Sequence, residues 1–184
     1  MLKLRWLLAV LLGVFLSAAA LASPPAGMWQ NPVIKDAGAM HPLPNAAFQP
    51  DKAAIYKALF SITHESKNPK EINDGLDHVA RAVNVFVSAG VPLDHLKFVV
   101  IIHGGATPIV LDNAHYKKQF GVDNPNLKVL SELKTAGVEL AVCGQAVAGE
   151  DYDYSWVNPD VEIALSALST IIILQHDGYA LMPM

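Results

Sequence analysis

The chain of 184 residues predicts an α/β protein, a three-layer fold with a mostly parallel sheet of about five strands and helices on both faces. Three observations carry that expectation. From about residue 51 onward, short β-rich runs alternate with helical patterns, the signature of repeated strand–helix–strand units. The run Lys97-Phe98-Val99-Val100-Ile101-Ile102 is apolar almost throughout, as suits a strand covered on both faces. Gly90, Pro92, Gly137 and Gly178 fall at the ends of the helical patterns, where they stop them.

Ahead of this alternating part stands a different kind of sequence. Lys3 and Arg5, the apolar stretch Leu7 to Leu16, and Ala20-Leu21-Ala22 read as a secretory leader with a small-residue cleavage site. The apolar stretch falls short of the roughly 20 residues a membrane span needs. Residues 1–22 are therefore expected to be removed as a signal peptide, leaving a periplasmic or secreted protein with no membrane contact. Residues 23–50 hold Pro32, Pro42, Pro44 and Pro50 with little apolar periodicity, which predicts an extended arm wrapping the surface or meeting another copy. Residues 51–184 have the length of one compact domain with its own core.

The elements follow in order. Ala54 to Ile62 is β-rich and ends at Thr63-His64, predicting the first strand. Asn73 or Asp74 caps a helix that carries Leu76, Val79, Ala80, Val83 and Val87 on one face. The second strand, Lys97–Ile102, runs into His103-Gly104-Gly105. After a short helix around Asp112–Phe120, Asn124-Pro125 opens another with Leu127, Val129, Leu130 and Leu133 on its buried side. Val138–Val142 is the third strand and delivers Cys143. Asn158–Ile163 gives a short fourth strand, Ala164–Gln175 a buried helix, and Tyr179–Met182 a final strand.

Composition narrows the function classes. With Lys3 and Arg5 set aside, 11 basic residues face 17 acidic ones, a formal charge of −6 with no basic run, which disfavours nucleic acid and anionic membrane as partners. The chain contains neither a phosphate loop nor a dinucleotide fingerprint, and no carboxylate pair sits in a glycosidase context. His64, His103 and His176 show no metal-ligand spacing, so no metal and no cofactor is expected.

Cys143 is the sole cysteine. In an oxidising compartment it has no internal partner, so it is either a small buried filler or a thiol kept for chemistry. In a doubly wound sheet Thr63-His64, His103-Gly104 and Cys143-Gly144 all reach the carboxyl edge, where open α/β sheets bind ligands. Gly144 lets the backbone turn and approach a ligand, and a helix starting at Gln145 would offer N–H groups to a thiolate. Gln145 is placed to donate to that thiolate. His103 is a general acid or base, a cation that lowers the thiol pKa, or a structural histidine. Gly104 and Asn124 complete the expected ligand-binding set.

Several segments together resemble one family. Val99-Val100-Ile101-Ile102-His103-Gly104, Asn124-Pro125-Asn126-Leu127, Ala136-Gly137-Val138-Glu139, Val142-Cys143-Gly144-Gln145, Ala164-Leu165-Ser166-Ala167-Leu168, and Leu174-Gln175 before Gly178-Tyr179 resemble an exported branch of the DsrE/DsrF-like family. The resemblance covers about residue 50 to the end. It implies a three-layer fold with a parallel sheet, assembly into trimers or hexamers, and, as in some cytoplasmic relatives, passage of persulfide sulfur from one protein cysteine to another. Cys143 is the residue it marks as sulfur-bearing, with Gly144 and Gln145 as its flank, and a sulfur donor or acceptor protein as the partner. The alternative left open by the residues is a non-enzymatic binding or assembly module in which Cys143 is packing.

Overall fold

Five parallel strands in the order β4-β3-β2-β1-β5 form the sheet of the computed structural model, which describes residues 28–184. The strands are β1 (Tyr56–Ile62), β2 (Leu96–Ile102), β3 (Glu139–Cys143), β4 (Glu162–Ala164) and β5 (Ala180–Pro183). The helices are α1 (Asp74–Ser88), α2 (Asn113–Phe120), α3 (Leu127–Thr135), α4 (Gly144–Gly149) and α5 (Ala167–His176). The expected leader, residues 1–22, lies outside the described residues. Among the described residues no helix is long and apolar enough to cross a membrane.

Local sequence accounts for the frame. Asn73 caps α1 by accepting from the Gly75 amide, and Leu76, Val79, Ala80 and Val83 turn one face inward. Asp112 caps α2 through the His115 amide, and Gly121 ends it in the left-handed region at φ 75°. A chain of buried asparagines joins the starts of α1 and α3 to the segment that precedes α2. Asn126 accepts from the Asn73 amide and donates to Asn124 Oδ1, while the Asn124 amide donates to the carbonyls of Ile109 and Leu111.

The pleat divides the core in two. One face sets Phe60, Ile62, Phe98, Val100, Ile102, Leu140 and Val142 against α1 and α3, forming the larger cluster. The other sets Leu59, Val99, Ile101 and Cys143 against Ala167 of α5. Because β5 lies beside β1, the chain leaving β4 must run back across that second face, and α5 is the crossing element. The connections after β1, β2 and β3 pack on the first face, so the direction of winding changes between β3 and β4.

Residues 28–50 do more than wrap the surface. Gln30 and Met40 pair as an antiparallel bridge, and Ile34, Ala37 and Met40 are buried in the core. Gly38, at φ 67°, lies so close to α1 that a Cβ there would stand 2.2 Å from the Arg81 amide nitrogen. Another departure concerns α5. The sequence predicts a buried helix over Ala164–Gln175, whereas only Ala167 of α5 is buried and its outward side is exposed aliphatic surface. A run apolar on all sides reports its wish for cover, not where that cover comes from.

Candidate functional site

Three strands deliver polar side chains to one level at the carboxyl edge of the second sheet face. Ser61 lies near the end of β1 and on the side of Leu59. His103 follows β2 directly with extended backbone (φ −160°, ψ 179°), and its amide donates to the Ile62 carbonyl, so the ladder continues through it. Cys143 ends β3. Ile102 pairs with Val142 in the β2–β3 register, and one further step sets His103 beside Cys143 with both side chains on the second face.

His103 and Ser61 are hydrogen-bonded, Nε2 to Oγ, at 2.9 Å. Burial pushes the His103 imidazole below its ordinary range, so the ring is neutral at neutral pH. A half-buried imidazole without a carboxylate partner prefers its uncharged form, which weighs against the cation reading and leaves His103 as an acid–base group or as a structural histidine bonded to Ser61. Sequence reasoning missed Ser61. Its signal was present, a lone hydroxyl within the apolar Leu59-Phe60-Ser61-Ile62.

A pH dependence follows from the burial. The folded state holds His103 below the unfolded value of about 6.5, so this contribution to stability is full above that pH and is lost as pH falls through the folded value. His103→Gln keeps a partner for Ser61 without titrating. The expected result is a urea midpoint that falls less between neutral and mildly acidic pH in the variant than in the parent. Parallel falls in both proteins would refute it.

Cys143 is 6% exposed and belongs to the smaller core cluster with Leu59, Val99, Ile101 and Ala167, against which Ala141, Ile171 and Leu174 also pack. It occupies the N-cap position of α4 without a side-chain capping bond. α4 has six residues, fewer than two turns.

The flanking residues serve structure more than ligand. A Cβ on Gly144 would meet the Ala164 carbonyl oxygen at 2.9 Å and Ile163 Cγ2 at 3.2 Å, so this glycine admits β4 and leaves no room for a ligand. Gln145 does not reach the thiol; its Nε2 donates to the Leu165 carbonyl at 3.2 Å, tying α4 to the segment that leads into α5. Gly104 adopts φ 57°, the left-handed conformation that the turn out of β2 requires. Its carbonyl accepts from Thr107 Oγ1 at 2.7 Å. Asn124 is buried, and both ends of its side chain are committed to the asparagine chain described above.

Two clefts open at the same edge but on the side of α1. One of about 350 Å³ is lined by His64, Lys67, Asp74, His78 and Met184, among others. The other, about 200 Å³, has Glu65, Gly105, Tyr116 and Glu150 in its walls. Neither is lined by Cys143. Among the described residues no three His, Cys, Asp or Glu side chains gather as a metal site.

The model of the DsrE/DsrF-like family matches residues 56–184. A search of curated proteins finds no match. Among solved structures the chain is similar to MTH1491, a protein of unknown function from Methanobacterium thermoautotrophicum. The match has 16% identity and a TM-score of 0.50, covering 70% of this chain and 99% of that one. Likeness at that identity bears on the fold alone.

Proposed function

The chain belongs to the DsrE/DsrF-like family, and from that premise we propose that it carries sulfane sulfur as a persulfide on Cys143. The observation that carries the proposal is positional. The one thiol of the chain ends β3 where the winding of the sheet reverses, in register beside a neutral imidazole. The same proposal takes residues 1–22 as an export leader and 23–50 as an arm, placing the protein in the periplasm or outside the cell.

The chemistry needs no cofactor. His103 accepts the Cys143 proton, and the thiolate attacks the outer sulfur of a donor persulfide, R–S–SH. The new S–S bond forms on Cys143 as the donor S–S bond breaks, and the donor leaves as R–S⁻, which takes the proton held by His103. Transfer onward repeats the exchange, with an acceptor thiolate attacking the outer sulfur and Cys143 leaving as thiolate. Since the sulfur is enclosed, loading requires the Gln145–Leu165 contact to part and the start of α5 to move aside.

That same enclosure favours a second reading, an assembly or binding module in which Cys143 is packing. One experiment separates the two. Protein exported from a bacterial host is incubated with polysulfide and examined by intact-mass spectrometry, which also reads its N-terminus. The carrier proposal expects an adduct of one sulfur atom, absent from Cys143→Ser and passed to an added thiol. A Cys143 that neither loads nor reacts with alkylating reagents in the native protein leaves the packing reading standing.

A further inference from the structure

We propose that Ser61 is a positioning residue for the thiol: its hydroxyl accepts the Nε2–H of His103 and so leaves Nδ1 as the nitrogen that takes the Cys143 proton. The order of the strands gives the arrangement. β2 lies between β1 and β3, so His103, which follows β2, has Ser61 of β1 on one flank and Cys143 of β3 on the other. Ser61 pairs with Ile101, two residues short of His103 and on the same face, which makes it the diagonal neighbour of the imidazole. Nε2 is bonded toward β1 at 2.9 Å. The two nitrogens lie on opposite flanks of the ring, so Nδ1 is turned toward β3.

Which partner donates follows from the path of the proton. A neutral imidazole carries one N–H, and after it takes a proton it carries two. A hydroxyl that accepts from Nε2–H fits both states without turning. One that donates into Nε2 would put the ring proton on Nδ1 and leave no lone pair facing the thiol. As the Sγ–H bond breaks and Nδ1–H forms, the electron pair stays on sulfur, and the imidazolium later returns the proton to the departing thiolate. A carboxylate in place of Ser61 would hold the ring charged at rest, whereas a hydroxyl leaves it free to accept.

Ser61 is well held for such a task. It is 7% exposed, stands on a strand paired on both sides, and its own carbonyl accepts from the Met184 amide at 2.8 Å. Its neighbours on this face, Leu59, Val99 and Ile101, are apolar, so packing alone asks for no hydroxyl here. A nucleophile, a base, and a third group that orients the base is the arrangement by which weak nucleophiles are activated.

The inference rests on the carrier reading only for the use to which the thiol is put; the experiment follows the proton and the thiol without sulfur. In the nitrogen-15 spectrum of the exported protein, His103 is expected to carry its proton on Nε2 with Nδ1 bare. A proton on Nδ1 overturns the proposal. Native-state alkylation of Cys143 by iodoacetamide is expected to slow about fivefold in Ser61→Ala, the worth of one hydrogen bond to the base. In a His103→Gln background the same change is expected to add nothing, since its effect passes through the imidazole. An equal slowing in both backgrounds, or none in either, overturns the proposal. If Ser61→Ala loses its circular-dichroism signal, the wild-type nitrogen spectrum decides. A protein that meets these expectations and never takes sulfur from polysulfide removes the carrier proposal alone.

Discussion

Asn84→Ala is expected to cost the fold about 3–5 kcal/mol, read as a lowered urea midpoint, and to free the segment around Ile34 for proteolysis. Asn84 is fully buried on α1 and serves residues some 50 positions away. Its Oδ1 accepts from the amides of Val33 and Ile34 at 3.0 and 2.9 Å. Its Nδ2 donates to the carbonyls of Ile34, Ala37 and Gly38. Alanine leaves these backbone groups facing an apolar pocket, and each unpaired buried group costs about 1–3 kcal/mol. The total stays below the sum because the segment can lift and meet water, which is why proteolysis accompanies the loss. Asn84→Asp does not rescue it, since a carboxylate keeps the acceptor but surrenders the donors and buries a charge. A cost under about 1 kcal/mol would mean that residues 28–50 are not docked as described.

Gly144→Val is expected to detach β4 and raise the native-state alkylation rate of Cys143 by more than about tenfold, with about 1–3 kcal/mol lost in stability. Even the first added carbon would meet the Ala164 carbonyl at 2.9 Å, and that atom belongs to the backbone of β4, which cannot rotate away. β4 has three residues, paired to β3 only through Ala141–Glu162, Val142–Ile163 and Cys143–Ala164. Releasing that short strand is the cheapest relief, and α5, which follows two residues later, loses its anchor over the thiol. Gly144→Ala should show a smaller effect in the same direction. Unchanged thiol reactivity in Gly144→Val would show that β4 does not help to enclose Cys143.

What the sequence made legible was whatever acts over short range. The apolar run ending at Ile102, the Asn73 cap and the stops at Gly90, Gly137 and Gly178 placed β1 to β3, β5 and α1 within a residue or two, whereas β4 and α5 begin four and three residues later than the sequence suggested. The alternation of elements was enough for a parallel sheet, and so for Cys143 at its carboxyl edge. Pairings between distant residues were not legible: nothing local to Asn84 points to Ile34, nor anything near Gln145 to Leu165. Asn124 and Gly144 were correctly marked as special but for the wrong reason. A buried amide satisfying a loop and a glycine yielding to a neighbouring strand look, in one dimension, like ligand contacts. The exposure of α5 was hidden for a related reason, since periodicity measures apolar character and not which chain supplies the cover.

The placement of β5 beside β1 bears on how the chain comes to fold at all. β1 is the first strand in sequence and the neighbour of β5, and Lys57 meets Asp177 across 120 positions of sequence. Closing so long a loop is slow, and until it closes one edge of β1 stands unpaired beside finished strands. Strands β1 to β4 can thus pair while the edge of β1 waits for Ala180–Pro183. A chain in which β5 is undocked would present that open edge as a template for pairing with other chains.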